Sequence, residues 1–139
     1  MKVGVIGCGN IADIYFKNSK KYFNNFEIVA CADIKEEASK NLAEKYSVRQ
    51  LSVEDMLVDK EVEFIINLTI PNVHYQVSKS ILESKKHSYS EKPLSIEFDD
   101  GKKLNELAEN NNVYVGEDED NVREKYSLAK NIKLEKPYR

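Results

Sequence analysis

Residues 2–6, Lys-Val-Gly-Val-Ile, run straight into Gly7-Cys8-Gly9-Asn10-Ile11-Ala12. A short strand pattern, then G-x-G-x-x-A, then helical spacing leaves few folds open. Each position of the string has a physical job. Gly7 permits a tight turn, Gly9 lets the backbone approach a pyrophosphate, and Ala12 lets helix and strand pack closely. The helix start, with Asn10 and Ile11 in its first turn, offers unpaired N–H groups and a partial positive charge to phosphates. Taken alone, the string also fits a glycine turn that merely packs.

The rest of the chain alternates β-type and helical stretches. Ile11, Ile14, Tyr15 and Tyr22 recur at helical spacing over residues 11–22. Residues 26–32 are a second apolar run, and Ala38, Leu42 and Tyr46 form one stripe of a second helix. Residues 49–51 read as a weak strand. Ser52 with Asp55 resembles a capping box that starts a short helix. Residues 64–69 are nearly continuous in hydrophobicity, as a parallel strand covered on both faces requires. Val73, Val77 and Ile81 give the next helical stripe, and residues 87–90 a short polar strand. Ser95 is placed to cap a helix with Leu104, Leu107 and Ala108 on its buried face. Asn110-Asn111-Asn112 ends it, and residues 113–115 make the last strand.

Six strands alternating with helices imply parallel pairing through right-handed crossovers. With glycines after the first strand, the expected fold is a three-layer α/β domain of Rossmann type, doubly wound, in the order 3-2-1-4-5-6. This single domain is expected over residues 1–116. Residues 117–139 change character, with six acids, six bases and few large apolar groups, and read as a charged helix or tail.

Composition removes other classes. Net charge is −3, from 21 Lys+Arg against 24 Asp+Glu, so the basic footprint of a nucleic-acid binder is missing. The longest mostly apolar run, residues 64–70, is far below the ~20 residues that span a bilayer. No signal-peptide pattern opens the chain. Cys8 and Cys31 lie far apart in sequence without a C-x-x-C, and read as free thiols of a cytoplasmic protein. No metal site is expected.

Three signals carry chemistry beyond the glycine loop. Asp33 ends the second strand, 21 residues after Ala12. Its carboxylate can accept from adenosine ribose hydroxyls and repels a 2′-phosphate, which favours NAD over NADP. Ile34 after it is not a basic residue that would hold that phosphate. Asp33 also fits a cap for the next helix. The second signal is Thr69-Ile70-Pro71-Asn72-Val73-His74, at the carboxyl end of the fourth strand, where an open α/β sheet binds ligands. Thr69 and Asn72 can there touch ribose or phosphate, although Asn72 equally fits a helix cap. His74 fits a functional or a structural role. The third is Glu91-Lys92-Pro93, after the fifth strand. A lysine there can face a nicotinamide and bind or protonate a substrate oxygen, while charged residues before proline are also common in turns.

Together, Gly7-x-Gly9-x-x-Ala12, Asp33, Thr69-x-Pro71-Asn72-x-x-His74 and Glu91-Lys92-Pro93 resemble the N-terminal domain of the Gfo/Idh/MocA oxidoreductases. The resemblance covers about residues 1–116 and rests on several motifs in the right order and spacing. It implies a bound nicotinamide dinucleotide and hydride transfer to or from a sugar or polyol carbon. Gly7, Gly9, Asn10, Ile11, Asp33, Thr69, Pro71, Asn72, His74 and Glu91 would face the cofactor, and Lys92 would act in catalysis. The acidic string Glu117-Asp118-Glu119-Asp120 and the polar His87-Ser88-Tyr89-Ser90 depart from the family pattern.

Family members are much longer, and their second domain forms the substrate pocket and supplies an aspartate and a histidine. No residue of this sequence can be assigned to those two. The chain is therefore expected to bind dinucleotide without being catalytically complete alone, and its open face to favour a homo-oligomer. Two other readings stay open: a non-catalytic, redox-sensing dinucleotide module, and a domain for another adenosine ligand such as S-adenosylmethionine. Glu91-Lys92-Pro93 favours the dehydrogenase over the latter.

Overall fold

The computed structural model describes residues 1–22, 26–90 and 98–117. Six parallel strands form one sheet: β1 (Lys2–Ile6), β2 (Glu27–Ala32), β3 (Arg49–Gln50), β4 (Phe64–Asn67), β5 (His87–Ser90) and β6 (Val115–Glu117). Their order is β3-β2-β1-β4-β5-β6, the doubly wound order expected. The helices are α1 (Asn10–Tyr22), α2 (Glu36–Tyr46), α3 (Val53–Val58), α4 (Pro71–Glu83) and α5 (Phe98–Asn110).

The two-residue period of a strand sends alternate side chains to opposite faces. Val3, Val5, Cys31, Phe64 and Ile66 therefore share one core with Tyr15 and Phe16 of α1 and Leu42 and Ala43 of α2. Ile6, Ala30, Ala32 and Ile65 face the other way, against Met56 of α3 and Ile81 of α4. Leu82, Leu104, Ala108 and Val115 make a third cluster, which seats α5 and β6 beside α4. Three layers result.

Several local readings hold in detail. Ser52 Oγ accepts the Asp55 N–H at 3.0 Å, half of the expected capping box. Asn112 takes φ 55°, the left-handed conformation that stops α5.

Others need correction. In α1 the buried face is Ala12, Tyr15, Phe16 and Ser19, whereas Ile11 is 38% and Ile14 51% exposed. Of the stripe Ile11, Ile14, Tyr15 and Tyr22, Tyr15 reaches the core as expected, while Ile11 and Ile14 are rotated away from the sheet and the small Ala12 is fully buried in their stead. In α4 the buried face is His74, Ser78, Ile81 and Leu82, and Val73 is exposed. Polar residues turn inward there because buried Asn67 on β4 needs partners.

β6 begins at Val115, two residues later than expected. The Val113 N–H is taken by the Ala108 carbonyl at the end of α5. The Tyr114 N–H is taken by His87 Nδ1 at 2.9 Å. Ser95 and residues 118–139 lie outside the described residues.

Candidate functional site

The first and fourth strands run side by side, Val3–Ile6 against Phe64–Asn67, and their connections leave for opposite faces. Their carboxyl ends form the switch-point crevice of the sheet. The glycine loop lies at its floor.

Gly7 has φ +104°, a conformation that side chains rarely adopt. A Cβ on Gly7 would also come within 2.6 Å of the Leu68 carbonyl carbon and oxygen and 2.8 Å of the Thr69 nitrogen. The loop is thus pressed against the backbone after β4. Gly9 differs: a Cβ there would meet nothing within 4 Å. Its lack of a side chain serves no contact within the described fold. It leaves open space above an exposed backbone, as a ligand cradle would.

Beside Gly9 the helix begins. Gly9, Asn10 and Ile11 are exposed, and the first N–H groups of a helix have no intrahelical acceptor. The Ala12 N–H is already used by the Gly9 carbonyl at 3.1 Å. The Gly7 N–H is used by the Ala32 carbonyl at 2.9 Å. The donors left facing outward are those of the loop tip and the first turn.

Asp33 stands on the β2 side of the loop. Its Oδ2 accepts the Cys8 N–H at 2.7 Å, and its Oδ1 accepts the Lys35 N–H at 2.8 Å. It is therefore not the cap of α2. That position is held by Lys35, without a side-chain cap. The two bonds fix the carboxylate at the tip of β2. A carboxylate has about four lone-pair sites, so acceptor capacity remains for ligand hydroxyls.

Thr69 stands on the β4 side, half-buried. Pro71 is the first residue of α4 and Ile70 its N-cap. Asn72 is therefore not the cap either; it lies exposed in the first turn. His74 is 1% exposed, and its Nε2 is hydrogen-bonded to the Thr69 carbonyl. Glu91, Lys92 and Pro93 lie outside the described residues. They come after Ser90, the end of β5, which pairs in register with Asn67.

The crevice thus brings Gly7, Gly9, Asp33 and Thr69 together, with the first turns of α1 and α4 on its rim. Exposed Ile34 and Ile70 flank it. These residues fit a dinucleotide: open space and amides for a diphosphate, a fixed carboxylate for a ribose.

One participant is hard to see in the sequence. Asn67 looks there like an interruption of an apolar run, yet it is fully buried and organises Thr69. A solitary amide in a strand covered on both faces is the available signal, since buried polar groups need partners. Among the described residues no group of three His, Cys, Asp or Glu side chains could hold a metal ion. No described helix is long and apolar enough to cross a membrane.

A parallel sheet of this order, with a glycine loop at its switch point, defines a Rossmann domain of the NAD(P)-binding kind. Residues 1–119 match the family model described as an oxidoreductase family with an NAD-binding Rossmann fold, and the chain belongs to that family, Gfo/Idh/MocA. Among curated relatives, the chain is 28% identical over 102 residues to the myo-inositol 2-dehydrogenase of Thermotoga maritima, covering 72% of this chain and 30% of that protein.

Among solved structures, it is similar to the WlbA dehydrogenase of Chromobacterium violaceum in complex with NADH and UDP-GlcNAcA. The TM-score is 0.78 at 26% identity, over 88% of this chain and 36% of that one. The biliverdin reductase of Synechocystis, solved with biliverdin and NADP+, shares the fold with TM-score 0.76 at 24% identity, over 84% of this chain and 37% of that one. The chain spans about a third of the length of these relatives.

Proposed function

We propose that this domain binds NAD in preference to NADP and serves a dehydrogenase that moves a hydride between nicotinamide and a hydroxyl-bearing carbon of a sugar or cyclitol. The observation that carries the reading is the pairing of open space above Gly9 with the Asp33 carboxylate fixed beside it. Amides of the loop tip and of Asn10 and Ile11 take the diphosphate. Asp33 takes the adenosine ribose hydroxyls, and its charge disfavours a 2′-phosphate. Thr69, Pro71, Asn72, His74 and Glu91 complete the cofactor side, His74 acting through Thr69. The bound dinucleotide supplies the hydride acceptor or donor, and Lys92 binds the substrate oxygen and exchanges its proton.

The sugar or cyclitol class is supported by the myo-inositol relative and by the WlbA structure with its UDP-sugar acid. On this reading residues 1–116 are the dinucleotide domain, and the 139 residues turn over no polyol by themselves. We place the domain in the cytoplasm, where nicotinamide cofactors are abundant. The exposed apolar residues Ile34, Ile70 and Val73 suit a homo-oligomer, which light scattering at high concentration would detect.

Calorimetric titration of the 139-residue chain with NADH and NADPH tests the central reading. Tighter binding of NADH is expected. Tighter binding of NADPH would overturn the Asp33 assignment, and absence of heat with both would overturn the function. Steady turnover of any polyol by the 139 residues would refute their incompleteness.

A further inference from the structure

We infer that the Thr69 hydroxyl is locked by Asn67 as a hydrogen-bond acceptor, so that it takes a hydroxyl or amide N–H from the nicotinamide-riboside half of the ligand and never a phosphate oxygen. This rests on the cofactor reading above and narrows it, since the sequence allowed Thr69 either ribose or phosphate.

The orientation of Asn67 is set by its partners. One end of its amide lies 3.1 Å from the His74 carbonyl oxygen and 3.0 Å from Ser78 Oγ. A carbonyl can only accept, so the atom facing it is the nitrogen, Nδ2. The other end faces the Thr69 N–H at 3.2 Å. An N–H can only donate, so that atom is the oxygen, Oδ1. Two independent neighbours exclude the flipped amide.

Oδ1 is also 2.6 Å from Thr69 Oγ1. A side-chain carbonyl oxygen carries no proton, so the proton in that bond comes from Thr69. A threonine hydroxyl has one proton and two lone pairs. With its proton committed, Thr69 offers a ligand only lone pairs. Asn67 meanwhile uses both donor protons and both lone pairs. It is 0% exposed, so no water can substitute when a bond is broken. Turning the Thr69 proton toward a phosphate would leave Oδ1 underbonded in a dry site, which is costly.

Position selects the half of the ligand. Asp33 comes after β2 and Thr69 after β4, on opposite sides of β1. If Asp33 holds the adenosine ribose, Thr69 meets the distal half, which carries ribose hydroxyls and a carboxamide NH₂. Both are donors. Asn67 is thus a positioning residue, acting through Thr69. The same network continues through Ser78 Oγ to Ser90 Oγ at 3.0 Å, the residue before Glu91-Lys92-Pro93.

The test is equilibrium titration of the 139-residue chain and its Thr69→Val and Thr69→Ser variants with four ligands. NAD+ carries both donors. 3-Acetylpyridine adenine dinucleotide lacks the amide N–H, ADP-ribose has only the hydroxyls, and ADP has the diphosphate without the distal half. Thr69→Val is expected to weaken NAD+ by about tenfold, the loss of one net hydrogen bond, with ADP unchanged and Thr69→Ser close to the unsubstituted chain. Loss that persists with ADP-ribose and the acetylpyridine analogue assigns the donor to a ribose hydroxyl. Loss that vanishes with both assigns it to the carboxamide. Either outcome supports the locked acceptor, whereas loss that persists with the acetylpyridine analogue and vanishes with ADP-ribose would put the Thr69 proton on the ligand carbonyl and overturn it. An equal loss for ADP, or no loss for NAD+, would overturn it while leaving the cofactor reading intact. Failure of the unsubstituted chain to bind both NAD+ and ADP would overturn the cofactor reading itself.

Discussion

The Cys8 amide donates to Asp33 Oδ2 across 2.7 Å, joining the glycine loop to the tip of the second strand. The carboxylate expected to recognise a ribose is therefore already a structural member of the loop. Replacing Asp33 by Ala strips the Cys8 and Lys35 amides of their charged acceptor. Hydrogen bonds to charged groups are worth about 1.5–3 kcal/mol each when buried, but these sites are partly wet. The expected destabilisation of Asp33→Ala is about 1–3 kcal/mol by urea denaturation. The preference for NADH over NADPH should disappear with it in parallel titrations.

The two loop glycines should separate cleanly. Gly7→Ala forces a side chain into φ +104° and into the backbone of Leu68 and Thr69. Strain and overpacking together predict a loss of about 2–5 kcal/mol. Gly9→Ala meets no neighbour, so its melting curve should match the unsubstituted chain while dinucleotide affinity falls at least about tenfold, the scale of one displaced contact. Unchanged binding by Gly9→Ala would show that nothing sits above that residue.

Asn67→Ala removes the hub of a buried network. The Thr69 N–H and hydroxyl, the His74 carbonyl and the Ser78 hydroxyl each lose a partner. Orphaned buried groups of this kind predict about 2–4 kcal/mol of destabilisation. A shift in the urea midpoint of the size typical for a surface Asn would contradict the network.

His87 gives the fold an acid limb. Its Nδ1 accepts the Tyr114 N–H where β6 meets β5, so the folded ring is neutral. Burial pushes its pKa down, against a smaller opposing pull from Glu63. The unfolded ring, near pH 6.5, binds a proton more readily than the folded one. The contribution of His87 is thus fully present above that pH and is lost as pH falls toward the depressed folded value. Denaturation midpoints should stay level above about pH 6.5 and decline below it. His87→Gln, which keeps an acceptor without a titrating ring, should flatten that decline.

The strand order and the glycine loop were legible because each rests on a local rule. Apolar runs of strand length alternate with helical spacing, and Gly7 permits the positive-φ turn out of β1 that few other residues adopt. Helix faces were less legible. Ile11 and Val73 suit a core by hydrophobicity, yet close approach favoured Ala12, and polar satisfaction favoured His74 and Ser78. Such choices depend on what stands opposite in three dimensions. The start of β6 differs from the apolar run for a similar reason, since the Val113 and Tyr114 amides are claimed by Ala108 and His87. In the site, Asp33 and Thr69 stood out as polar groups at strand ends, while Asn67 was hidden inside an apolar run. Asp33 and Asn72 each fitted a helix cap by spacing, but Lys35 and Ile70 take those places because the turns before α2 and α4 begin differently.

One thiol belongs to the loop and the other lies on the neighbouring second strand. Cys8 and Cys31 belong to one core, with Cys8 Sγ bonded to the Ala32 carbonyl and Cys31 Sγ to that of Ser39. The neighbouring Cys31 and burial push the Cys8 thiol up, away from its reactive anion. Cys31, on the second strand, is 0% exposed, so an alkylating reagent reaches its sulfur only when that strand parts from its covering helices. The rate of alkylation becomes a clock for that breathing, and an occupant of the crevice should slow it.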